Sequence, residues 1–193
     1  MQPRMQPYNV HEDTRGQHSK FFMESRDGAG LFTFPAREVF MTTNHKNTIR
    51  GMHFQRYHAG AKIISCITGH AYVQIVNLVP DTPGYREVVL QHSLLPGQQI
   101  TVPTGHALGY RALEDDTRIL YITDQEHKGN LDVGFNPFSL NWSLHQGDLF
   151  EPRVSDRDVQ LPSLKELCEE IETQDDPEDY LRGGSSESHS NWG

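Results

Sequence analysis

The chain has 193 residues, enough for one domain of ordinary size with a properly buried core. Its 17 Lys and Arg against 26 Asp and Glu leave a formal charge of −9, which argues against a general nucleic-acid binder, because neutralising phosphates needs a basic face. No apolar run reaches the ~20 residues of a membrane helix, the N-terminal stretch lacks the apolar segment of a secretory signal, and Cys66 and Cys168 are too few for a disulfide framework or a thiolate zinc site; these features predict a soluble, cytoplasmic protein without membrane contact.

In chain order, residues 1–30 are poor in apolar side chains and read as an N-terminal arm. Residues 31–145 carry the main domain. Within it, short apolar or alternating runs stand at Lys62–Thr68, Ala71–Leu78, Glu87–His92, Gln99–Pro103 and Arg118–Asp124. Turn residues separate them: Gly69, Pro83-Gly84, Pro96-Gly97, Thr104-Gly105 and Glu114-Asp115-Asp116. Strands of this length with turns every ~8–12 residues predict an all-β antiparallel sandwich or barrel. Ala71–Asn77 is rich in β-branched and aromatic side chains, which favours a strand over a helix.

Residues 146–172 form a C-terminal segment that ends in a helix. Ser163-Leu164-Lys165-Glu166 has the order of a capping box, and Leu164, Leu167, Cys168 and Ile171 fall on one helical face. Residues 173–193 are acidic and then Gly/Ser-rich, so the expectation is a disordered acidic tail.

The chemically richest stretch is Arg50-Gly51-Met52-His53-Phe54-Gln55. Strict alternation sends Arg50, Met52 and Phe54 to one face and His53 and Gln55 to the other, a rule that a bend at Gly51 would relax. A lone histidine of this kind is more often a hydrogen-bonded strand residue than a catalyst. Lys62 opens an apolar strand; it is either a solvated strand end or, pointing inward, a desolvated cation suited to an oxyanion. Tyr121 shares a face with Ile119 and Thr123, the pattern of a core tyrosine. Asp158 lies just before the C-terminal helix, where a turn carboxylate is ordinary. Taken together, these four supply a base, an acid, a cation and an orienting carboxylate, the parts needed for proton abstraction beside a carbonyl.

Eleven histidines keep a metal site under consideration, and a sandwich or barrel can hold iron, manganese or zinc with two or three of them. No His-x-His pair occurs; the nearest candidates, His53 and His58, are five apart and fall on opposite faces of a regular strand.

These residues resemble the dTDP-4-dehydrorhamnose 3,5-epimerase family, nucleotide-sugar epimerases of the cupin, or jelly-roll, class. Residues 50–55 match the family's Arg-Gly-Leu-His-Phe/Tyr-Gln signature, and Lys62 follows at nearly the family interval. Val102–Gly109 is similar to its Ile-Pro-x-Gly-Phe-Ala-His-Gly turn, Leu120-Tyr121 to the start of its Leu-Tyr-Lys strand, and Ser155–Asp158 to its Ser-x-Lys-Asp segment. Asn136-Pro137, Asn141-Trp142 and the split pair Asp13–Gly16 and Phe21–Ser25 add to the likeness, which spans residues 13–164 with gaps.

The resemblance implies a jelly-roll fold and epimerisation of a nucleotide-diphospho-4-keto-6-deoxy sugar, of the dTDP-4-keto-6-deoxyglucose type, at C3, C5 or both. His53 would be the base, Asp158 its partner, Lys62 the group that stabilises the enolate, and Tyr121 the acid on the opposite face. Arg15, Phe22, Glu24, Asn44, Arg50 and Arg157 would hold the nucleotide sugar. It further implies no metal or other cofactor, a homodimer, and a place in rhamnose or surface-polysaccharide biosynthesis. Departures mark the pocket: Leu108 replaces a substrate-contacting histidine, with His106 two residues away on the same face, Val73 replaces an aspartate, and Arg157 replaces a lysine. They point to a different sugar or a single inverted carbon. A metal-dependent cupin enzyme and a non-catalytic sugar-nucleotide binder are the alternatives.

Overall fold

The computed structural model describes residues 1–14, 16–23, 35–57 and 60–182. Its strands are β1 (Arg4–Pro7), β2 (Asn9–Asp13), β3 (Gly16–Lys20), β4 (Glu38–Asn44), β5 (Ile49–Gln55), β6 (Lys62–Thr68), β7 (Ala71–Asn77), β8 (Val88–Leu94), β9 (Gln98–Val102), β10 (His106–Ala112), β11 (Thr117–Thr123) and β12 (Asp132–Gly134). Three helices follow, α1 (Asp156–Val159), α2 (Leu164–Glu172) and α3 (Pro177–Arg182).

Two five-stranded antiparallel sheets form the sandwich, ordered β1-β9-β6-β11-β4 and β12-β5-β10-β7-β8. Among the described residues, β2 and β3 pair only with each other. The all-β expectation holds, and each of the five runs read from the sequence becomes a strand within two residues of its expected bounds.

Alternation along β7 explains the layering. Ala71, Val73 and Ile75 point between the sheets, where they pack with Ile64, Cys66, Ile100, Leu108, Tyr110 and Ile119. Tyr72 and Val76 point the other way, into a second core built with Met52, Phe54, Phe135, Trp142 and the C-terminal helices. Both faces of this strand are therefore covered, which is why all seven of its residues are buried.

The helix read from the sequence forms as expected, and its capping box is complete: Ser163 Oγ accepts from Glu166 N–H and the Glu166 carboxylate accepts from Ser163 N–H. Such a cap contributes about 1 kcal/mol. Leu167, Cys168 and Ile171 are the residues it buries.

The N-terminal arm contributes β1 to the edge of the first sheet, pairing Arg4 with Thr101 through Pro7 with Gln98. One expectation is corrected. The acidic tail is structured as far as Arg182: α3 buries Tyr180 and Leu181 at 1% and 0% exposure, and the Tyr180 hydroxyl donates to Glu170. The signal was local. Asp176 accepts from the N–H groups of Glu178 and Asp179, and Pro177 stands at the first helical position, where its missing N–H costs nothing. Residues 183–193 of the expected tail lie outside the described residues.

Candidate active site

The site begins with an irregularity in β5. Leu108 of β10 pairs with His53 and Tyr110 pairs with Arg50, so two steps along one strand match three along the other. The extra residue sits at Gly51, whose φ is +117° and where a Cβ would come within 2.6 Å of the Gly109 Cα and the Leu108 carbonyl oxygen. Only glycine fits both constraints. As a result Met52 and Phe54 keep to the outer core while Arg50 and His53, three apart, both line the space between the sheets.

That space is a cavity of about 780 Å³, room for a ligand larger than a simple sugar. His53, Lys62, Tyr121 and Asp158 all line it, with Arg50, Tyr110, Leu108, Gln55, Asp132 and Arg153. His53 comes from the second sheet and Lys62 and Tyr121 from the first, so imidazole and phenol belong to opposite walls. Asp158 arrives on α1, which Ser155 caps by accepting from the Asp158 N–H at 3.1 Å.

His53 Nε2 lies 2.7 Å from Asp158 Oδ1. The carboxylate can only accept, so Nε2 carries the proton and the Nδ1 lone pair is left to take another. Burial of Asp158 opposes its charge, but the hydrogen bond and charge of His53, the Ser155 contact and the nearby Arg157 outweigh it and hold the carboxyl below the usual range. The dyad can therefore accept a proton on imidazole without losing its orienting anion.

Lys62 points inward, settling the choice between its two readings: alternation along β6 puts it on the side of Ile64 and Cys66. Burial lowers its pKa, partly offset by the charge of Asp132. On the same sheet, Tyr121 is 9% exposed and stacks on Phe40 with centroids 4.5 Å apart and planes 8° apart. Burial, with the neighbouring Tyr110, raises its pKa well above that of a free phenol, so it stays protonated at neutral pH. Tyr110 is its neighbour in the same buried cluster.

The remaining expected ligand-holding residues divide. Arg50 lines the cavity and donates from Nε to Asn44 Oδ1 at 2.7 Å. Asn44 lies behind it, buried, and orients the guanidinium. Arg157 is not among the residues that line the cavity but grips Asp132, which is, through its carboxylate at 2.9 Å and its carbonyl at 2.6 Å. Phe22 does not line the cavity, and Arg15 and Glu24 lie outside the described residues. Leu108 does line it, whereas His106 does not: two residues along β10, its ring donates from Nδ1 to the Thr104 carbonyl at 3.0 Å. Val73 sits in the inner core, where the resemblance had put an aspartate.

Sequence reasoning missed Asp132, Arg153 and Tyr110. Asp132 and Arg153 come from stretches without periodicity, and Tyr110 reads as a core residue, so only three-dimensional proximity finds them. Among the described residues, no three His, Cys, Asp or Glu side chains converge on one point as metal ligands would. His58 of the candidate metal pair lies outside those residues.

A model of the family described as dTDP-4-dehydrorhamnose 3,5-epimerase matches residues 4–166. A dTDP-4-dehydrorhamnose 3,5-epimerase of Streptomyces griseus is 26% identical over 157 residues, 80% of this chain and 78% of the relative. A dTDP-4-dehydro-6-deoxyglucose 3-epimerase of Streptomyces bikiniensis is 25% identical over 158 residues, 80% and 81% of the two chains. Among solved structures, a double variant of a 3'-monoepimerase from Streptomyces bikiniensis in complex with dTDP shares the fold, with a TM-score of 0.77 at 20% identity, over 94% of this chain and 88% of that one.

Proposed function

Because the chain belongs to the dTDP-4-dehydrorhamnose 3,5-epimerase family, and is thus an isomerase, we propose that it inverts C3, C5 or both in a dTDP-linked 4-keto-6-deoxy sugar by moving one proton off and another on. The observation that carries this reading is that His53 and Tyr121 belong to facing sheets and line one cavity together with Lys62 and Asp158.

His53 Nδ1 takes the proton from the carbon beside the 4-keto group: the C–H bond breaks, an N–H bond forms, and the electron pair moves onto the keto oxygen. Asp158 stabilises the imidazolium. Lys62 donates to the enolate oxygen in a site where burial strengthens the interaction. Tyr121 delivers its hydroxyl proton from the other face, so the carbon is re-formed inverted. Imidazolium and phenolate then exchange with solvent. Each proton transfer is worth ~10²–10⁴-fold in rate.

Arg50, held by Asn44, and Arg153 are the arginines that line the cavity, and we assign them the diphosphate, whose oxygens suit guanidinium forks. In the curated relatives the sugar is linked to dTDP, and the apolar Leu108 supports a sugar differing from theirs or inversion at one carbon only. Among the described residues, no helix is long and apolar enough to cross a membrane. A cytoplasmic homodimer is part of the proposal.

The test is incubation with a panel of 4-keto sugar nucleotides in deuterated water, read by NMR. Deuterium at C3, C5 or both, with the epimer appearing, is the expected result. Absence of exchange with every member of the panel overturns the reading.

A further inference from the structure

Behind Tyr121 the Tyr110 hydroxyl has more acceptors within reach than protons to give. It donates to Asn44 Oδ1 at 3.2 Å, lies 2.8 Å from Thr42 Oγ1, and has Tyr121 beside it in the same core cluster and on the same cavity. The Asn44 amide is fixed, since its Nδ2 donates to the Thr117 carbonyl at 2.8 Å and to Thr42 Oγ1 at 3.3 Å. Its Oδ1 therefore faces Arg50 and Tyr110, and it accepts from Arg50 Nε at 2.7 Å whether or not Tyr110 also donates.

The Tyr110 proton is thus free to turn from one acceptor to another without stranding Asn44. Tyr110 itself is 1% exposed, with Leu108 and Ile119 in the same core cluster, so water is a poor substitute for it there. A phenolate at Tyr121 needs a donor in this place, because burial penalises the anion.

We propose that Tyr110 is a positioning residue for the return of the proton. Its hydroxyl re-aims from Asn44 to the Tyr121 oxygen as Tyr121 gives its proton to the sugar carbon, and it holds the phenolate until solvent reprotonates it. No bond of Tyr110 breaks: the Tyr121 O–H is lost, the sugar C–H is gained, and the Tyr110 proton only changes direction. Arg50 ties the relay to the ligand, since the guanidinium that lines the cavity also shares the Asn44 oxygen. The inference rests on the reading of Tyr121 as the acid.

The test uses full-length protein with dTDP-4-keto-6-deoxyglucose in deuterated water. Wild type is measured first, and if it neither exchanges nor inverts, the functional reading fails independently of Tyr110. With active wild type, Tyr110→Phe is expected to keep deuterium wash-in within about threefold while epimer formation falls by about 10–100-fold, the worth of one hydrogen bond to a charged group. An equal fall in both rates, as a merely structural role gives, overturns the proposal, and so does no change in either. Should Tyr110→Phe not fold, 3-fluorotyrosine at position 110 retains ring and hydroxyl. Its fluorine resonance should move when Tyr121→Phe is added, and an unmoved resonance also overturns the proposal.

Discussion

His53 Nε2 and Asp158 Oδ1 stand 2.7 Å apart although 105 residues separate them in sequence. One belongs to a central strand and the other to a four-residue helix beyond the sandwich. His53→Ala should cut deuterium wash-in by ~10²–10⁴-fold and also lower thermal stability, since it leaves the buried Asp158 carboxylate without its imidazole partner. Asp158→Asn should lower wash-in less, by removing the anion but not the base. The carboxyl is depressed in the fold, so its contribution to stability is present above the unfolded value of 3.8 and lost as pH falls through the lower folded value. Thermal melts between about pH 5 and pH 2 should show that acid limb in wild type and a flatter one in Asp158→Asn.

Tyr121→Phe separates the two halves of the reaction. Wash-in at the substrate carbon should persist through His53, while the inverted product falls by ~10²–10⁴-fold, the range for a general acid. NMR of substrate and product in the same tube reads both rates. An unchanged epimer ratio and rate would remove Tyr121 from the mechanism.

Lys62 is a stability cost. Burial lowers its pKa, so the charged form carries a solvation penalty in the fold that is relieved as pH rises toward the unfolded value of 10.5. Lys62→Met should therefore melt higher than wild type at pH 7, with each 1 kcal/mol gained reading as about 2–4 °C. Asp132 is not stranded by this change because Arg157 also holds it. Epimerisation should fall by about 10²–10³-fold, the loss typical of one oxyanion donor.

Arg50→Ala and Arg153→Ala should raise KM more than they lower kcat, since a diphosphate is bound alike in the ground state and the transition state. About 10–100-fold in KM per guanidinium matches the worth of a charge-assisted hydrogen bond. Steady-state kinetics and titration with dTDP alone check the assignment, and a kcat effect at unchanged KM contradicts it.

Tyr180→Ala should destabilise the protein by about 3–5 kcal/mol, the usual cost of emptying a buried aromatic site. The ring is 1% exposed and packs on Phe54 and Tyr57, with centroids at 6.2 and 5.2 Å. Urea unfolding measures the loss. Because Phe54 follows His53 on β5, the variant should also lose activity at temperatures below its global melt.

Local sequence was a good guide wherever a structural choice depends on a few adjacent residues. The β-branched and aromatic run Ala71–Asn77 and the Ser163–Glu166 capping box each carry their own geometry, so both elements form where they were read. The motif around His53 was legible too, because its residue types together are chemically unusual. The same local reading failed at Pro177–Arg182: the acidic composition obscured a helix whose stability comes from placing Tyr180 and Leu181 against a distant core.

What the chain's letters determined alone is the periodicity, the caps and the inventory of a base, an acid, a cation and an orienting carboxylate, for these follow from backbone sterics and side-chain chemistry. The tertiary structure decided the rest. The additional residue at Gly51 turned Arg50 to the side of His53, the facing sheets set imidazole and phenol on opposite walls, and the packing brought Tyr110, Asp132 and Arg153 to the cavity while leaving Arg157 outside its lining, bound to Asp132. Which groups share a desolvated space is fixed by contacts between residues far apart along the chain, and that is where their pKa values and their chemistry arise.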